Sequence, residues 1–546
     1  MDLDNILEAL DESFEYDSGS DYKPTSSDQS SDSSDSDIPS VNDTSQSSFS
    51  DTTTENSQQW NNVTTFNQSH FVFEENRSLF CDLGPDCKPI DVYYLFLNDD
   101  ILDTIVVETN RQALRYKRTW TNTNSMEVKQ FLGIVMYTGL VSYPKISDYW
   151  SRQTFFHNNF ISKIMPRNRF QELLRFFHVA DNDSIIEGDR LGKIQPLVCK
   201  LVIIFKKIKV PGENIVIDET MIPFRGRLIF KQYIPNKTSK YGVKLFKICD
   251  NIGYTYDCII YSGKNTTPTC SEITTATKVV LQLMNDYLYK GRTLIIDNYY
   301  TSLNLAHILL SKDTHMVGTL RKNAKGFPKD ITNAKIKKGE IKGKEDDKGV
   351  VVSIWKDKRD GGIRMVSTKH GIEMISTGKT SRNGDVIKKP EAIIFYNKNK
   401  QGIDVSDQMT SYFTPLRKTI RWYHKVAFQL LLGTAVVNSL LIYKELTGNT
   451  IQISNFRQQI IEELVKSQDF NLVSPSSRKH KLIETDEKSG QGNKKKRRRC
   501  VKCYEKLVSE KGRAVAQKNC KTTTLYCNSC EKNPAFCLEC FQASHK

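Results

Sequence analysis

Asp218 ends the apolar run of NIVIDET, Asp297 ends that of TLIIDNYYTS, and Asp404 and Asp407 stand three apart in QGIDVSDQM. The first two close short runs of mostly branched residues, and the third group opens a helix far downstream. Carboxylates at the ends of core strands, joined by one from a later helix, are what a two-metal phosphoryl-transfer site needs. Such a site holds two cations roughly 3.5–4 Å apart, one activating the attacking oxygen and one stabilising the leaving oxygen. Mg²⁺, or Mn²⁺ in its place, is hard and takes oxygen ligands, which suits Asp. Residues three apart share a helix face, so Asp404 and Asp407 can approach the same ion or its water shell. Asp407 also reads as a first-turn acid complementing the helix dipole, which leaves Asp404 the better ligand.

The order strand, strand, helix is how a ribonuclease-H-like core assembles a metal site. The elements around it fit an α/β reading. Residues 89–210 read as helical, with apolar residues at helical spacing in EVKQFLGIVMYTGL and in MPRNRFQELLRFFHVADN, where His178 reads as a structural residue rather than a ligand. From Asn214 the pattern turns to short strands, NIVIDET, KLFKICDN, YDCIIYSG and TLIIDNYY, then the helix SLNLAHILLSK and the strand HMVGTL. That alternation predicts a mixed core with parallel members. Residues 324–390 carry dense turn signals and read as an inserted β-rich unit, followed by strand character in EAIIFYN. A helix is expected near Asp404, another from Lys425 to Glu445, and one more within 446–485. The apolar run Val426–Tyr443 approaches the length of a membrane span, but Gln429, Thr434, Asn438 and Ser439 interrupt it, so it reads as a buried helix, with a transmembrane helix as the alternative.

Basic and aromatic residues alternate between the first two acidic motifs. Arg225, Arg227, Lys231, Lys237, Lys240, Lys244 and Lys247 are interleaved with Phe224, Phe230, Tyr233 and Tyr241. Arg417, Lys418, Arg421 and Trp422 follow the third motif. Cations neutralise phosphates and aromatics stack on unpaired bases, although the aromatics equally suit a hairpin core.

The tail carries CVKC at Cys500 and Cys503, then Cys520, CNSC at Cys527 and Cys530, CLEC at Cys537 and Cys540, and His545. Zn²⁺ takes four thiolate or imidazole ligands tetrahedrally, and each CxxC turn supplies two. Eight candidates allow two ions in a cross-braced module, or one ion with spare cysteines.

The charge is divided. Residues 1–60 hold eleven Asp, four Glu and one Lys, a net of −14, against +15 for the whole 546-residue chain. The strongly basic remainder points to a polyanionic partner, most simply nucleic acid. Residues 1–75 are rich in Ser, Asp, Thr and Asn and lack the apolar area to offset chain entropy, so disorder is expected there. The acidic start MDLDNILEALDESF has no basic opening for a secretion signal, so clustered cysteines read as metal ligands rather than disulfides. KKKRRR at Lys494–Arg499 fits a nuclear import signal or a phosphate-binding linker.

IDETMIPFRGRLIFKQYIPNKTSKYGVKLF, with DNYYTS, GIDVSDQM, the upstream DYW and RFQELLRFFHVADND, resembles the piggyBac transposases and their domesticated relatives over roughly residues 85–450 and the cysteine tail. The resemblance implies a ribonuclease-H-like DDD core in pieces 214–323 and 391–413, interrupted by the insertion 324–390. It implies a helical dimerisation and DNA-binding domain split across 76–213 and 414–485, a basic linker 486–499 and a zinc module 500–546. Asp218, Asp297 and Asp404 would be the catalytic triad, with Asp407 an additional family aspartate. The implied activity is nuclear cut-and-paste transposition of double-stranded DNA into TTAA targets by a homodimer without membrane association, the cysteine tail binding terminal repeats. DNYYTS departs mildly, since the family commonly has Trp or Phe after the Asn. The competing readings are a domesticated DNA-binding protein without catalysis, and a host nuclease without strand transfer.

Overall fold

The computed structural model describes residues 59–63, 71–75, 78–235, 237, 239–263, 274–357, 362–380, 384, 386–466, 482–489, 495–527, 530 and 533–544. They fall into two compact units, 1–465 and 466–546. The acidic stretch 1–58, with the disorder expected of it, lies outside the described residues.

A ten-stranded mixed sheet organises the first unit. Its strands are β1 (Trp60–Asn62), β2 (Asn214–Pro223), β3 (Gln232–Tyr233), β4 (Tyr241–Cys249), β5 (Thr255–Ile260), β6 (Thr293–Ile296), β7 (His315–Thr319), β8 (Ile341–Asp346), β9 (Val351–Trp355) and β10 (Ile363–Ser367). The spatial order is β1-β8-β9-β10-β7-β6-β2-β4, with β3 and β5 both paired to β4. β2, β6 and β7 run parallel, while β4 and β5 are antiparallel to their neighbours. The parallel members expected from the alternation are therefore present. Strands β8–β10, from the turn-rich stretch, lengthen this same sheet through the β7–β10 pairing.

The chain becomes ordered earlier than residue 75. Trp60–Asn62 pair with Asp346–Lys344 on the open edge of β8, and Phe71 packs on His315 at 4.8 Å between ring centroids. Edge-strand hydrogen bonds and buried aromatic area offset the entropy that composition alone left unopposed.

Helices before and after the sheet form one helical body. The early ones are α1 (Pro89–Tyr94), α2 (Asp99–Tyr116), α3 (Ser125–Leu140), α4 (Arg167–Phe176) and α5 (Gln195–Ile208). Asn98 and Asn124 start α2 and α3 by accepting from the N–H groups of Ile101 and Glu127 at 3.1 and 2.9 Å, the usual satisfaction of a first turn. The sheet is flanked by α6 (Thr275–Met284), α7 (Leu303–Leu310), α8 (Glu391–Asn399) and α9 (Gly402–Ser411). The late helices are α10 (Trp422–Thr447) and α11 (Ile453–Leu464). EAIIFYN, expected to be a strand, is the helix α8. Pro390 sets its start, and Ile393 and Tyr396, three apart, bury one face against the sheet.

The apolar helix α10 lies almost wholly buried against other helices and the sheet. Its polar residues have internal tasks. Asn438 donates to Thr255 O and accepts from Thr255 N, both at 2.9 Å, closing the end of β5. A π-turn at Leu430–Thr434 shifts the hydrogen-bond ladder of the helix. Leu431 O there accepts from Tyr93 OH and Leu432 O from the buried Arg457 at 2.7 Å, which ties α1 and α11 to α10.

In the second unit, strand Leu482–Glu484 pairs with Leu525–Cys527, and helices span Val501–Lys511, Arg513–Asn519 and Leu538–Ser544.

Candidate active site and cysteine centre

The register of the parallel pair brings the first two acids together. Ile217 of β2 lies opposite Ile296 of β6, so the next residues, Asp218 and Asp297, are neighbours. Alternation fixes their face. Val216 and Ile295, two residues before each, belong to the apolar layer containing Tyr396 of α8 and Ile403 of α9. Asp218 and Asp297 therefore face the layer formed by α8 and α9. Asp218 accepts from Glu219 N at 2.8 Å, and Asp297 from Tyr299 N at 2.8 Å.

The third acid arrives on α9, whose seat is set by backbone contact. A Cβ at Gly402 would lie 2.0 Å from Asp250 O in the β4–β5 turn. Asp250 holds that turn by accepting from Ile252 N, Tyr254 N and Tyr256 OH at 3.2, 2.9 and 3.1 Å. Asp404 is exposed on the first turn of α9. Asp407, one turn on, is engaged elsewhere. It accepts from Thr220 Oγ1 at 2.7 Å and from the fully buried Lys247 Nζ at 3.1 Å. Lys247 lies opposite Asp218 in the β2–β4 register, so this ion pair fastens α9 to the strands that carry the first acid.

The electrostatics describe an acidic pocket short of positive charge. Burial, then the neighbouring Glu219, pushes the Asp218 carboxyl up to about 8; Asp297 adds to the rise and Lys237 opposes it. Burial likewise raises Asp297, with Glu219 adding to it and Arg321 and Lys237 opposing. Tyr396 reports on all three acids. Burial, and then the charges of Asp297, Asp218 and Asp404, push its phenol up to about 12. Hard oxygen donors under mutual repulsion fit Mg²⁺, whose charge would offset the desolvation that raises them. Among the described residues these carboxylates are not gathered to within 4.8 Å of one another, the one group of three or more metal-binding side chains that close being four cysteines.

Glu219 is a further carboxylate beside Asp218 that the sequence motifs did not single out. Tyr300 OH donates to its Oε2 at 3.0 Å, and Lys237 Nζ donates to its backbone oxygen at 2.8 Å. Its adjacency to Asp218 in the IDET run was the available signal.

The basic candidates divide. Arg225, Arg227, Lys240 and Lys418 are exposed. Lys231 is half-buried, 5.8 Å above the Tyr241 ring. Lys244 is buried between Phe246 and Tyr299, at 4.7 and 4.5 Å from their ring centroids. Arg417 donates to Tyr143 O at 3.1 Å and to Tyr149 OH, Arg421 donates to Arg175 O, and Trp422 packs edge-on against Phe230 at 5.1 Å. Arg417 and Arg421 thereby tie the strap before α10 to the helical body, and Trp422 ties the start of α10 to the β2–β3 connection. His178 is likewise a core residue, with Nδ1 3.0 Å from Phe176 O.

In the second unit, Cys500, Cys503, Cys537 and Cys540 have all four sulfurs within 4.8 Å. Cys500–Cys537 and Cys503–Cys537 are each 3.8 Å apart, and Cys503–Cys540 is 3.4 Å. Each CxxC pair sits at the start of a helix, Val501–Lys511 or Leu538–Ser544, where backbone N–H groups favour thiolate. Burial raises the Cys500 thiol, but hydrogen bonds to it from the backbone of Cys503 and Cys537 bring it down to about 7. Burial and the surrounding thiols push Cys503 up. Four crowded sulfurs of this kind fit a soft-ligand cation. Cys520 stands apart from them, with its Sγ 3.6 Å from Cys500 O, and the Cys527–Cys530 pair lies outside the group. His545 lies outside the described residues.

The family described as Transposase IS4 matches residues 88–440, well over half of the chain. The chain is 28% identical over 389 residues to the human PiggyBac transposable element-derived protein 3, an alignment covering 68% of this chain and 64% of that protein. It is 24% identical over 353 residues to the human PiggyBac transposable element-derived protein 2, covering 62% and 58%. It thus spans less than two thirds of the length of these curated relatives. A solved structure, the cryo-EM piggyBac transposase synaptic complex with hairpin DNA, superimposes with a TM-score of 0.63 at 25% identity, covering 72% of this chain and 83% of that one. The family match, the named relatives and the shared architecture together make this chain a member of the IS4 transposase family, of the piggyBac type.

Proposed function

We propose that the chain is a DNA transposase that cuts and rejoins double-stranded DNA by metal-dependent phosphoryl transfer, in the cut-and-paste manner at TTAA targets. The observation that carries this reading is the parallel β2–β6 register, which makes Asp218 and Asp297 neighbours facing the layer to which α9, the helix of Asp404, belongs. The strand order β5-β4-β2-β6-β7, with β2, β6 and β7 parallel, supports a ribonuclease-H-like core. Asp218, Asp297 and Asp404 would hold Mg²⁺ or Mn²⁺, which when bound supplies Lewis acidity to the attacking and leaving oxygens. The chain's own residues orient the site. Tyr300 and Lys237 fix Glu219 beside Asp218, and the Lys247–Asp407 pair fixes α9 and with it Asp404. Water attacks a terminal phosphodiester, the P–O bond to the departing strand breaks, and the 3′-OH released becomes the next nucleophile. The exposed Arg225, Arg227, Lys240 and Lys418 would bind the phosphate backbone.

In the tail, Cys500, Cys503, Cys537 and Cys540 would hold Zn²⁺, and the module would read terminal-repeat DNA. The protein would act in the nucleus as a homodimer, since two DNA ends must be joined to one target. The solved structure of similar fold is a synaptic complex with hairpin DNA, which supports DNA as the partner. The test is cleavage of DNA bearing the inverted repeats that flank the coding sequence, with and without Mg²⁺.

A further inference from the structure

A second polar cavity, of about 250 Å³, opens between the end of α2, the end of α4, the loop after it and the start of α10. Its charge is one-sided. Arg175, Lys193 and Arg421 line it, and among the described residues no carboxylate does. Asp181 of the adjoining loop is held by Arg111 at 2.8 Å and Arg115 at 3.2 Å, and Asp183 is held by Arg115. Among the described residues the three cavity cations thus have no carboxylate partner, although Arg421 gives one N–H to Arg175 O, and their charge is left for an outside anion.

Two further features narrow the anion. Tyr116 closes the last turn of α2 with 71% of its surface exposed, and Tyr423 stands at the start of α10, so aromatic faces lie beside the cations. Asn182 also lines the cavity. Its Nδ2 donates to Gln112 Oε1 at 2.9 Å, while its Oδ1 is buried with no hydrogen-bond donor. A buried acceptor without a partner costs free energy until a donor reaches it. Hydrogen phosphate carries its one hydroxyl on the anion itself, whereas a nucleotide adds amino and sugar hydroxyl donors set away from its phosphate.

His178 holds the geometry. Phe176 O can only accept, so Nδ1 carries the proton, and Nε2 accepts from Tyr423 OH at 3.3 Å. Burial foremost, then the charges of Arg421 and Lys193, hold the His178 ring down to about 4 against the raising effect of the Phe176 carbonyl. The ring stays neutral beside the cations and keeps Tyr423 oriented.

We propose that this cavity binds one nucleotide unit, its phosphate on Arg175, Lys193 and Arg421, its base on Tyr116, and a donor on Asn182 Oδ1. The unit comes either as a free deoxynucleotide or as a nucleotide turned out of a DNA strand. The second source rests on the DNA-processing reading above; the first does not. The cavity residues are separate from Asp218, Asp297 and Asp404, so the test does not depend on catalysis.

The experiment uses the full chain at fixed low salt. Deoxyadenosine monophosphate and inorganic phosphate are titrated by calorimetry, and an aminopurine-containing DNA strand by fluorescence. The nucleotide should bind more tightly than phosphate. Lys193→Ala, at an exposed position, and Arg175→Ala should each weaken it about tenfold, as loss of a charge-assisted contact does. Tyr116→Ala should weaken the nucleotide by about tenfold and leave phosphate unchanged, since only a base stacks. Aminopurine fluorescence should be quenched by the unaltered protein and not by Tyr116→Ala. A response from the strand alone, lost in these variants, keeps the proposal and assigns the nucleotide to DNA. Equal affinity for nucleotide and phosphate, or variants that bind both nucleotide ligands as the unaltered chain does, overturns it.

Discussion

The four aspartates of the sequence motifs occupy three environments, and the differences set their expected roles. Asp218 and Asp297 are held at strand ends in a pocket short of positive charge, Asp404 is exposed on a helix, and Asp407 is paired to Lys247. Asp407→Ala should therefore act through stability. It leaves the fully buried Lys247 without its counter-charge, a loss of about 3–5 kcal/mol in chemical denaturation. Asp404→Ala should leave the denaturation midpoint unchanged while removing cleavage. A stability loss confined to Asp404→Ala would reverse these assignments. The strand-end acids were legible because an apolar run ending in Asp is a local pattern. The partner of Asp407 was not, because Lys247 lies 160 residues away and only the β2–β4 register brings it near. The basic candidates show the same limit. A guanidinium in a sequence does not reveal whether it meets phosphate or, like that of Arg417, a backbone carbonyl across the fold.

Two helices position the acidic site, and each depends on one close contact. Gly402 lets α9 rest on the β4–β5 turn, where an added Cβ would meet Asp250 O at 2.0 Å. Gly402→Ala should cost about 1–3 kcal/mol through overpacking and reduce cleavage more than Asp404-independent DNA binding. Unchanged stability and cleavage would show that α9 does not need this approach. In α10, Asn438 supplies both hydrogen bonds to the backbone of Thr255. Asn438→Leu leaves two buried backbone groups unpaired and should destabilise by on the order of 3 kcal/mol in urea unfolding. Binary pattern gave the existence of most helices and of the core strands, because their apolar periods are long and regular. It misassigned Glu391–Asn399, where EAIIFYN has too short an apolar run to separate strand from helix. It also left the strand Trp60–Asn62 unseen, since that pairing comes from a sheet edge built far downstream.

Across the whole molecule, buried neutral histidines make the fold sensitive to acid. His178 and His370 are each held down to about 4, and His424 well below its ordinary value, in every case chiefly by burial. Each binds its proton more weakly folded than unfolded. The stability from keeping them neutral is thus complete above pH 6.5 and drains as pH falls toward 4, by on the order of 2–3 kcal/mol each for His178 and His370. The melting temperature should fall over that window, and His178→Asn should shallow the fall; an unaltered slope would place the acid sensitivity elsewhere. Strong chelation should unfold the cysteine unit, seen as lost far-ultraviolet signal with release of zinc by elemental analysis, and should leave the sheet-bearing unit melting as before. Its three CxxC pairs were legible by spacing, but which pairs join was not, because the first and last enclose the middle one. The central claim is metal-dependent strand cleavage by Asp218, Asp297 and Asp404, and single-turnover nicking of repeat-bearing DNA in Mg²⁺ tests it most directly. Alanine at any one of the three should lower the rate by at least about a thousandfold, with binding of the same DNA retained at fixed salt; nicking at the unaltered rate by any of them, or by the native chain after removal of all divalent cations, would contradict the account.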